Sequence, residues 1–425
     1  MEHCIRIIKK ILRMGASRVL RKYKPTVIAI IGGVGKTTAR EYIYAVLSKK
    51  YAVRKSEKSL TTDLGIALTL LGCSGNITTV SGWIANMWFA FKQLYIRNHY
   101  PEYVVLEIDG HTPGEVARVA EWLYIDVLVI TPISDIPPHV ELFETPDDLK
   151  NDYSTILRSL SLDSKIVVCA DDENAREIGN TIHSRVSYGT SIHADILATE
   201  YTFEYIDGVL SGMSFGIQKP EYEKQIHISG TVGIHVVHGM LCACAVMQVL
   251  GENPFAFLGQ YEKVVPLPGR MRLVSGIKHS IIIDDSYNAS PIATEQALSV
   301  LQKIEASRKI AVLGDMLELG RFSVEVHKEI GRQSVFVDIL VCVGVRARRI
   351  GESALIEGMT QEKVLFFDTA EQAGIHIQQI LVEGDCVLIK GSQNMRMEKT
   401  VEEIMLQPEK SKSLLVRQED YWRAR

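Results

Sequence analysis

The sequence predicts an α/β protein with two parallel-sheet units and a small antiparallel sheet between them. Three observations point there. Short apolar runs recur, each followed by an amphipathic stretch, which is the rhythm of strand–helix–strand units. Between about residues 196 and 230 that rhythm gives way to short alternating segments with turn dipeptides. After Pro266 and Pro268 it resumes. A chain of 425 residues exceeds what one compact core accommodates, so two or three domains are expected.

The first 25 residues are basic and amphipathic: Arg6, Lys9, Lys10, Arg13, Arg18, Arg21 and Lys22 alternate with Ile5, Ile8, Ile11, Leu12 and Leu20. No apolar block or small-residue cleavage site of a secretory leader accompanies them. A helix packed on the domain that follows is the simpler reading; contact with an anionic membrane surface is the alternative. Thr26–Ile31 then reads as a strand and Thr37–Ser48 as a helix. Trp83–Tyr95 reads as an aromatic-striped helix, and such a stripe is expected to be core. Strands follow at Tyr103–Ile108, Val127–Thr131 and Ile166–Ala170. Turns are expected at Asp207-Gly208 and Ser211-Gly212, and a small-residue helix at Gly239–Leu250. Val264–Arg270 reads as a linker. Beyond it come a strand at Ser280–Asp284, a helix at Ile292–Ile304, and strands at Lys309–Leu313, Ile339–Val343 and Cys386–Ile389. These set expected domains of 1–25, 26–267 and 268–425, with a polar tail after Lys410 expected to fray.

A net charge of −4 provides no global basic field for nucleic acid. No apolar run is long enough to span a bilayer. The seven cysteines show no paired metal-ligand spacing and sit in apolar runs, so buried reduced thiols and a cytoplasmic location are expected.

The chemistry concentrates in Gly32, Gly33, Val34, Gly35, Lys36, Thr37 and Thr38. A strand enters this glycine-rich turn and a helix leaves it, which is the context of a P-loop. The glycines let backbone N–H groups wrap an anion, and the helix terminus adds its dipole. Lys36 is positioned to reach β- and γ-phosphates, and the Thr37 hydroxyl to bind Mg²⁺. Ile30 occupies the place of the usual first glycine. Glu107 closes an apolar strand, where a carboxylate faces the ligand crevice; it is the expected Mg²⁺ ligand, with Asp109 a weaker competitor. His139, beyond another strand end, either binds metal or caps a loop.

Together these segments resemble the Mur ligase family, within it the branch that adds D-alanyl-D-alanine to a UDP-N-acetylmuramoyl-tripeptide. Four further stretches carry the likeness: Leu267-Pro268-Gly269-Arg270-Met271, Ile283 to Pro291, Val312 to Gly320 with His327, and Leu388 to Ser392 with Glu398. The resemblance implies a central P-loop ATP-binding domain on a mainly parallel sheet with a small antiparallel sheet, then a C-terminal Rossmann-like domain. It implies ATP and Mg²⁺, with a carboxylate acceptor converted to an acyl phosphate and attacked by an amine in cell-wall peptide synthesis. On matching positions, Lys36, Glu107 and His139 act in catalysis, Thr37, Glu107 and His139 hold metal, and Arg270, Asp285 and Asn288 reach ATP. Asp315, His327, Lys390 and Ser392 face the amine substrate.

The sequence departs from the family in three places. The lysine that carries a carbamate is replaced by Tyr153, with Lys150 one turn away. Of the family's His-Asn-x-x-Asn run only His235 remains, Val236 and Gly239 standing for the asparagines. About 25 residues precede the first strand where relatives carry a UDP-binding domain, so the acceptor is expected either to lack UDP or to be held by a partner protein. A nucleotide-binding subunit with weak catalysis, or a folate-type or amino-acid-polymer ligase, is the alternative.

Overall fold

The computed structural model describes all residues except 1, 58–59, 74–78, 97–98, 138, 181–183, 220–221, 420–421 and 423–425; for residues 2–7, 80, 219 and 222 only the backbone is described. The side chains of Cys4, Ile5 and Arg6 therefore lie outside the described residues.

The first sheet is built from β1 (Thr26–Ile31), β2 (Val53–Lys55), β3 (Tyr103–Glu107), β4 (Ile125–Ile130), β5 (Leu160–Cys169), β6 (Arg185–Gly189), β7 (Ile196–Ala198), β8 (Thr202–Ile206), β9 (Val209–Lys219) and β10 (Tyr222–Ser229). Their order is β10-β9-β7-β6-β5-β4-β1-β3-β2, with β8 also on β9. β1 lies between β3 and β4, parallel to both. It reads as an uninterrupted apolar run because helices cover both sheet faces, and Val27 to Ile31 are buried. The antiparallel strands are not a separate layer. β7 pairs parallel with β6 on one side and antiparallel with β9 on the other, so they extend the main sheet.

A second sheet comprises β11 (Arg272–Ser275), β12 (Ile281–Asp285), β13 (Arg308–Gly314), β14 (Ile339–Val343), β15 (Val364–Phe367) and β16 (Asp385–Lys390), in the order β11-β12-β16-β13-β14-β15. All its pairs are parallel except β11 with β12.

Most predicted elements match the structure to within a few residues, and the differences have physical causes. Asp207-Gly208 does turn the chain between β8 and β9, both residues having positive φ. Ser211-Gly212 does not: it lies inside β9. A Cβ on Gly212 would come within 2.1 Å of the Ile228 carbonyl oxygen, so this glycine permits close cross-strand approach rather than a turn. The short strands β2, β11 and β15, unpredicted, are all sheet edges.

The helix α1 (Glu2–Tyr23) packs on α3 (Asp63–Leu71) and α4 (Val80–Tyr95). Leu12, Ala16 and Val19 are fully buried there, as the simpler reading of this segment expected. The aromatic helix α4 overturns its expectation. It rests on α1 and α3 rather than on the sheet, through Ala90 and the half-buried Trp83 and Leu94. Ile84, Trp88, Phe91 and Tyr95 are exposed. The described cysteines are free and buried. As far as Glu419 the C-terminal tail does not fray as expected: Arg417 is buried and donates to the carbonyls of Ser286 and Tyr287 at 2.7 and 3.0 Å.

The helix Ile234–Val249 crosses α2 (Lys36–Leu47) at close range. A Cβ on Gly239 would stand 2.7 Å from Thr38 Cγ2 and 3.1 Å from Tyr42 Cδ2. This contact accounts for the missing asparagine there. Restoring it, Gly239→Asn, is expected to cost about 1–3 kcal/mol through overpacking. Urea denaturation would report the change, and an unaltered midpoint would show that the two helices separate without cost.

Candidate active site

β1 delivers the chain into Gly32, whose φ of 132° suits glycine and whose missing side chain leaves room for Thr131: a Cβ there would lie 2.3 Å from the Thr131 hydroxyl. Gly33 and Val34 donate their N–H groups to the Pro132 carbonyl at 2.8 and 3.1 Å, which pins the loop to the end of β4. Gly35, in left-handed conformation, precedes α2, and no side chain caps that helix. Its first N–H groups thus face the cleft as an anion site. Lys36 folds back to the Gly32 carbonyl at 2.5 Å and lies 3.4 Å from Asp109.

Glu107 ends β3 directly opposite Ile30 of β1. Its two carboxylate oxygens lie 3.0 and 3.2 Å from Thr37 Oγ1, Arg40 Nη1 donates to it at 3.1 Å, and its N–H is fixed by Ser56 Oγ. The hydroxyl and carboxylate together form an all-oxygen donor set of the kind Mg²⁺ requires, so these residues fit that ion.

A second group of donors stands beside the first. Asp109, His111 and His139 bring one ligand atom each to within 4.8 Å of one another. His111 Nδ1 is 3.1 Å from His139 Nε2. His111 Nε2 reaches Thr61 Oγ1 at 3.3 Å, and His139 Nδ1 reaches Glu318 of the C-terminal unit at 2.6 Å. Burial opposes ionisation of Asp109, but Lys36, His111 and His139 outweigh it and hold the carboxyl below its usual range. Burial likewise opposes the charged form of His139, and Glu318 and Asp109 overcome it, raising its pKa. Sequence reasoning missed His111 and Glu318: one lies past a strand end and the other is made a neighbour of His139 only by the docking of the two units.

Tyr153, at the position of the family's lysine, is buried with its hydroxyl 3.1 Å from the Gly32 carbonyl and 3.3 Å from Asp109. Lys150 points elsewhere, toward Asp135 and Asp147 at 3.7 and 3.5 Å. Neither position therefore places a lysine beside His139.

The opposite wall comes from the linker and the second sheet. Gly269 has φ of 65° and accepts the close approach of Tyr287, whose N–H bonds its carbonyl. Arg270 stacks over the Tyr287 ring at 4.1 Å. Asp285 accepts from Met271 N–H at 3.2 Å and from Lys390 Nζ at 2.6 Å, and Lys390 also holds the Asn288 carbonyl. One cavity is lined by Gly33 to Gly35, His235, Arg270, Asp285 and Asn288. Burial drives the His235 pKa down to about 4, so this ring is neutral at physiological pH. An adjoining cavity of about 590 Å³ is lined by Lys36, Thr37, Glu107, His139, Glu318 and Ser392, with Arg417 and Trp422 from the tail. Of the residues placed on the amine side, Ser392 lines this cavity, but its hydroxyl accepts from Leu317 N–H. His327 is fully buried between Met316 N–H and the Ser323 carbonyl. Asp315 is buried and holds Ala347 N–H.

A P-loop with an oxygen metal site, facing a second α/β unit across a cleft, defines a two-domain nucleotide-binding enzyme. A model of the Mur ligase middle domain matches residues 30–247, and one of the Mur ligase glutamate ligase domain matches residues 269–393. The chain belongs to the Mur ligase family and is an ATP-dependent carbon–nitrogen ligase. It is 25% identical over 400 residues to the UDP-N-acetylmuramoyl-tripeptide–D-alanyl-D-alanine ligase of Bacillus subtilis, covering 93% of this chain and 79% of that protein. It is 23% identical to the Escherichia coli protein of that name over 388 residues, covering 91% and 78%. The crystal structure of MurF ligase from Thermotoga maritima in complex with ADP shares the fold, with a TM-score of 0.75 at 22% identity over 93% of this chain and 83% of that one. No helix among the described residues is long and apolar enough to cross a membrane.

Two tests follow from these geometries. Asp109 neutralises the ammonium group that phosphates would need and repels them directly. Asp109→Asn is expected to bind ADP about tenfold more tightly in the absence of divalent cation; unchanged or weaker binding would show that Asp109 does not compete with phosphate. Asp284 is fully buried, and burial pushes its carboxyl up to about 6. The folded state therefore keeps a proton that the unfolded chain has released, and stability falls as pH rises from about 4 to 6, by an amount on the order of 2–3 kcal/mol. Asp284→Asn should remove that slope in denaturation series across this pH window.

Proposed function

We propose that this chain joins a D-alanyl-D-alanine-type amine to the terminal carboxylate of a UDP-N-acetylmuramoyl-peptide or a similar cell-wall precursor. The supporting observation is the Thr37–Glu107 oxygen pair beside the uncapped start of α2, with Arg270, Asp285 and Asn288 closing the cleft opposite. ATP would lie with its phosphates on the N–H groups of residues 35–38 and the Lys36 ammonium. The nucleoside would lie between His235, Arg270 and Asn288.

The acceptor carboxylate attacks the γ-phosphorus, ADP departs, and an acyl phosphate forms. The amine then attacks the carbonyl carbon, phosphate leaves, and the amine gives up a proton. Both steps depend on positioning and on neutralising crowded oxygens. Lys36 and the loop amides would hold the phosphates in line, and Thr37 and Glu107 would hold Mg²⁺. Mg²⁺ supplies charge neutralisation at the transferred group. A second cation would find His139, His111 and Asp109, with Glu318 orienting the His139 ring through its other nitrogen.

Product formation is the test. Incubated with ATP, Mg²⁺, the muramoyl-tripeptide and D-alanyl-D-alanine, the chain should yield the ligated pentapeptide by mass and release phosphate only when both substrates are present. Lys36→Ala should lower that rate at least about a hundredfold. Phosphate release indifferent to the dipeptide, or no product, would remove this assignment.

A further inference from the structure

We propose that the outer face of α1 and α4 docks on an anionic lipid surface. On α4, Ile84, Trp88, Phe91 and Tyr95 recur at intervals of four, three and four, one stripe of the helix. Their exposures are 66, 60, 47 and 67%. The rings form a continuous row, Trp88 stacked on Phe91 with centroids 5.8 Å apart and Phe91 against Tyr95 at 4.9 Å. Met87 and Phe89 beside them are exposed as well. Scattered exposed apolar residues need no explanation, but a contiguous aromatic row marks an interaction surface.

The charge around this row selects the occupant. Residues 2–24 contain eight Lys or Arg and one acid, Glu2, and residues 80–96 contain Lys92 and no acid, in a chain whose net charge is −4. Cationic charge is therefore segregated onto this helix pair. Lys9, Lys10, Arg18 and Lys92 are exposed and form no ion pair among the described residues. Lys22 donates to the Leu94 carbonyl at 2.8 Å, which ties the basic helix to the last turn of the aromatic one. The apolar side chains Ile11 and Met14 are exposed on α1 in the same stripe as Arg18.

Exposed rings on one helix and exposed cationic side chains on that helix and on the one packed against it suit a headgroup boundary, where rings enter the acyl region and ammonium groups meet phosphates. A second copy of the chain is disfavoured, because this face would bring like charges together. The helix pair does not span the bilayer; it lies against it, with the fold's own core holding both helices in place.

The test uses the full chain and sedimentation with vesicles of phosphatidylcholine alone or mixed with phosphatidylglycerol. Binding is expected to the mixed vesicles, to weaken with added salt, and to fall about tenfold or more in Trp88→Ser/Phe91→Ser/Tyr95→Ser and in Lys9→Glu/Lys10→Glu/Arg18→Glu. These positions are exposed, and ATP binding by each variant reports that the fold is intact. Quenching of tryptophan emission by brominated lipid should be lost in Trp88→Phe. Absent binding, equal binding to neutral vesicles, or a concentration-dependent dimer abolished by the triple serine variant would each overturn the proposal, the last in favour of self-association.

Discussion

The site depends on one register. Parallel pairing of β1 with β3 sets Glu107 opposite Ile30, two residues before the glycines begin. The carboxylate thereby meets Thr37 on the first turn of α2. A slip of one residue would turn Glu107 to the other face of the sheet, leaving the phosphate loop without its acid. The same register is secured from below by a buried aliphatic strand and from the side by Arg40 and Ser56. Burial of the strand core thus fixes a polar constellation that its own members, two of them acidic or basic and nearly buried, could not hold alone.

The second unit completes the cleft through contacts that are individually modest. Gly269 and Tyr287 interlock at the linker, Lys390 braces the loop that carries Asp285 and Asn288, and Arg417 returns from the tail to hold the carbonyls of Ser286 and Tyr287. Across the cleft, His139 pairs with Glu318, Arg321 donates to the Glu144 carbonyl, and Lys303 lies 4.0 Å from Glu200.

Much of this was legible in the sequence, because strands buried on both faces announce themselves as apolar runs and a phosphate loop needs its glycines at fixed spacing. Thr26–Ile31 appears in the structure with the bounds read from sequence, and Glu107 stands where a strand-end carboxylate should. Three things were not legible. His111 and Glu318 acquire meaning only from tertiary proximity. The glycine at 212 looks like a turn residue locally and serves a cross-strand contact. The α4 stripe has the periodicity of a core helix, and nothing in periodicity tells whether the surface it faces is protein or solvent.

Isothermal titration with a non-hydrolysable ATP analogue addresses the central claim most directly, comparing the parent chain with Thr37→Val in the presence and absence of Mg²⁺. One saturable site that tightens with Mg²⁺ in the parent, with that tightening lost in the variant, is the expected result. A parent chain that takes up no nucleotide, or one whose affinity ignores both the metal and the Thr37 hydroxyl, would contradict the account.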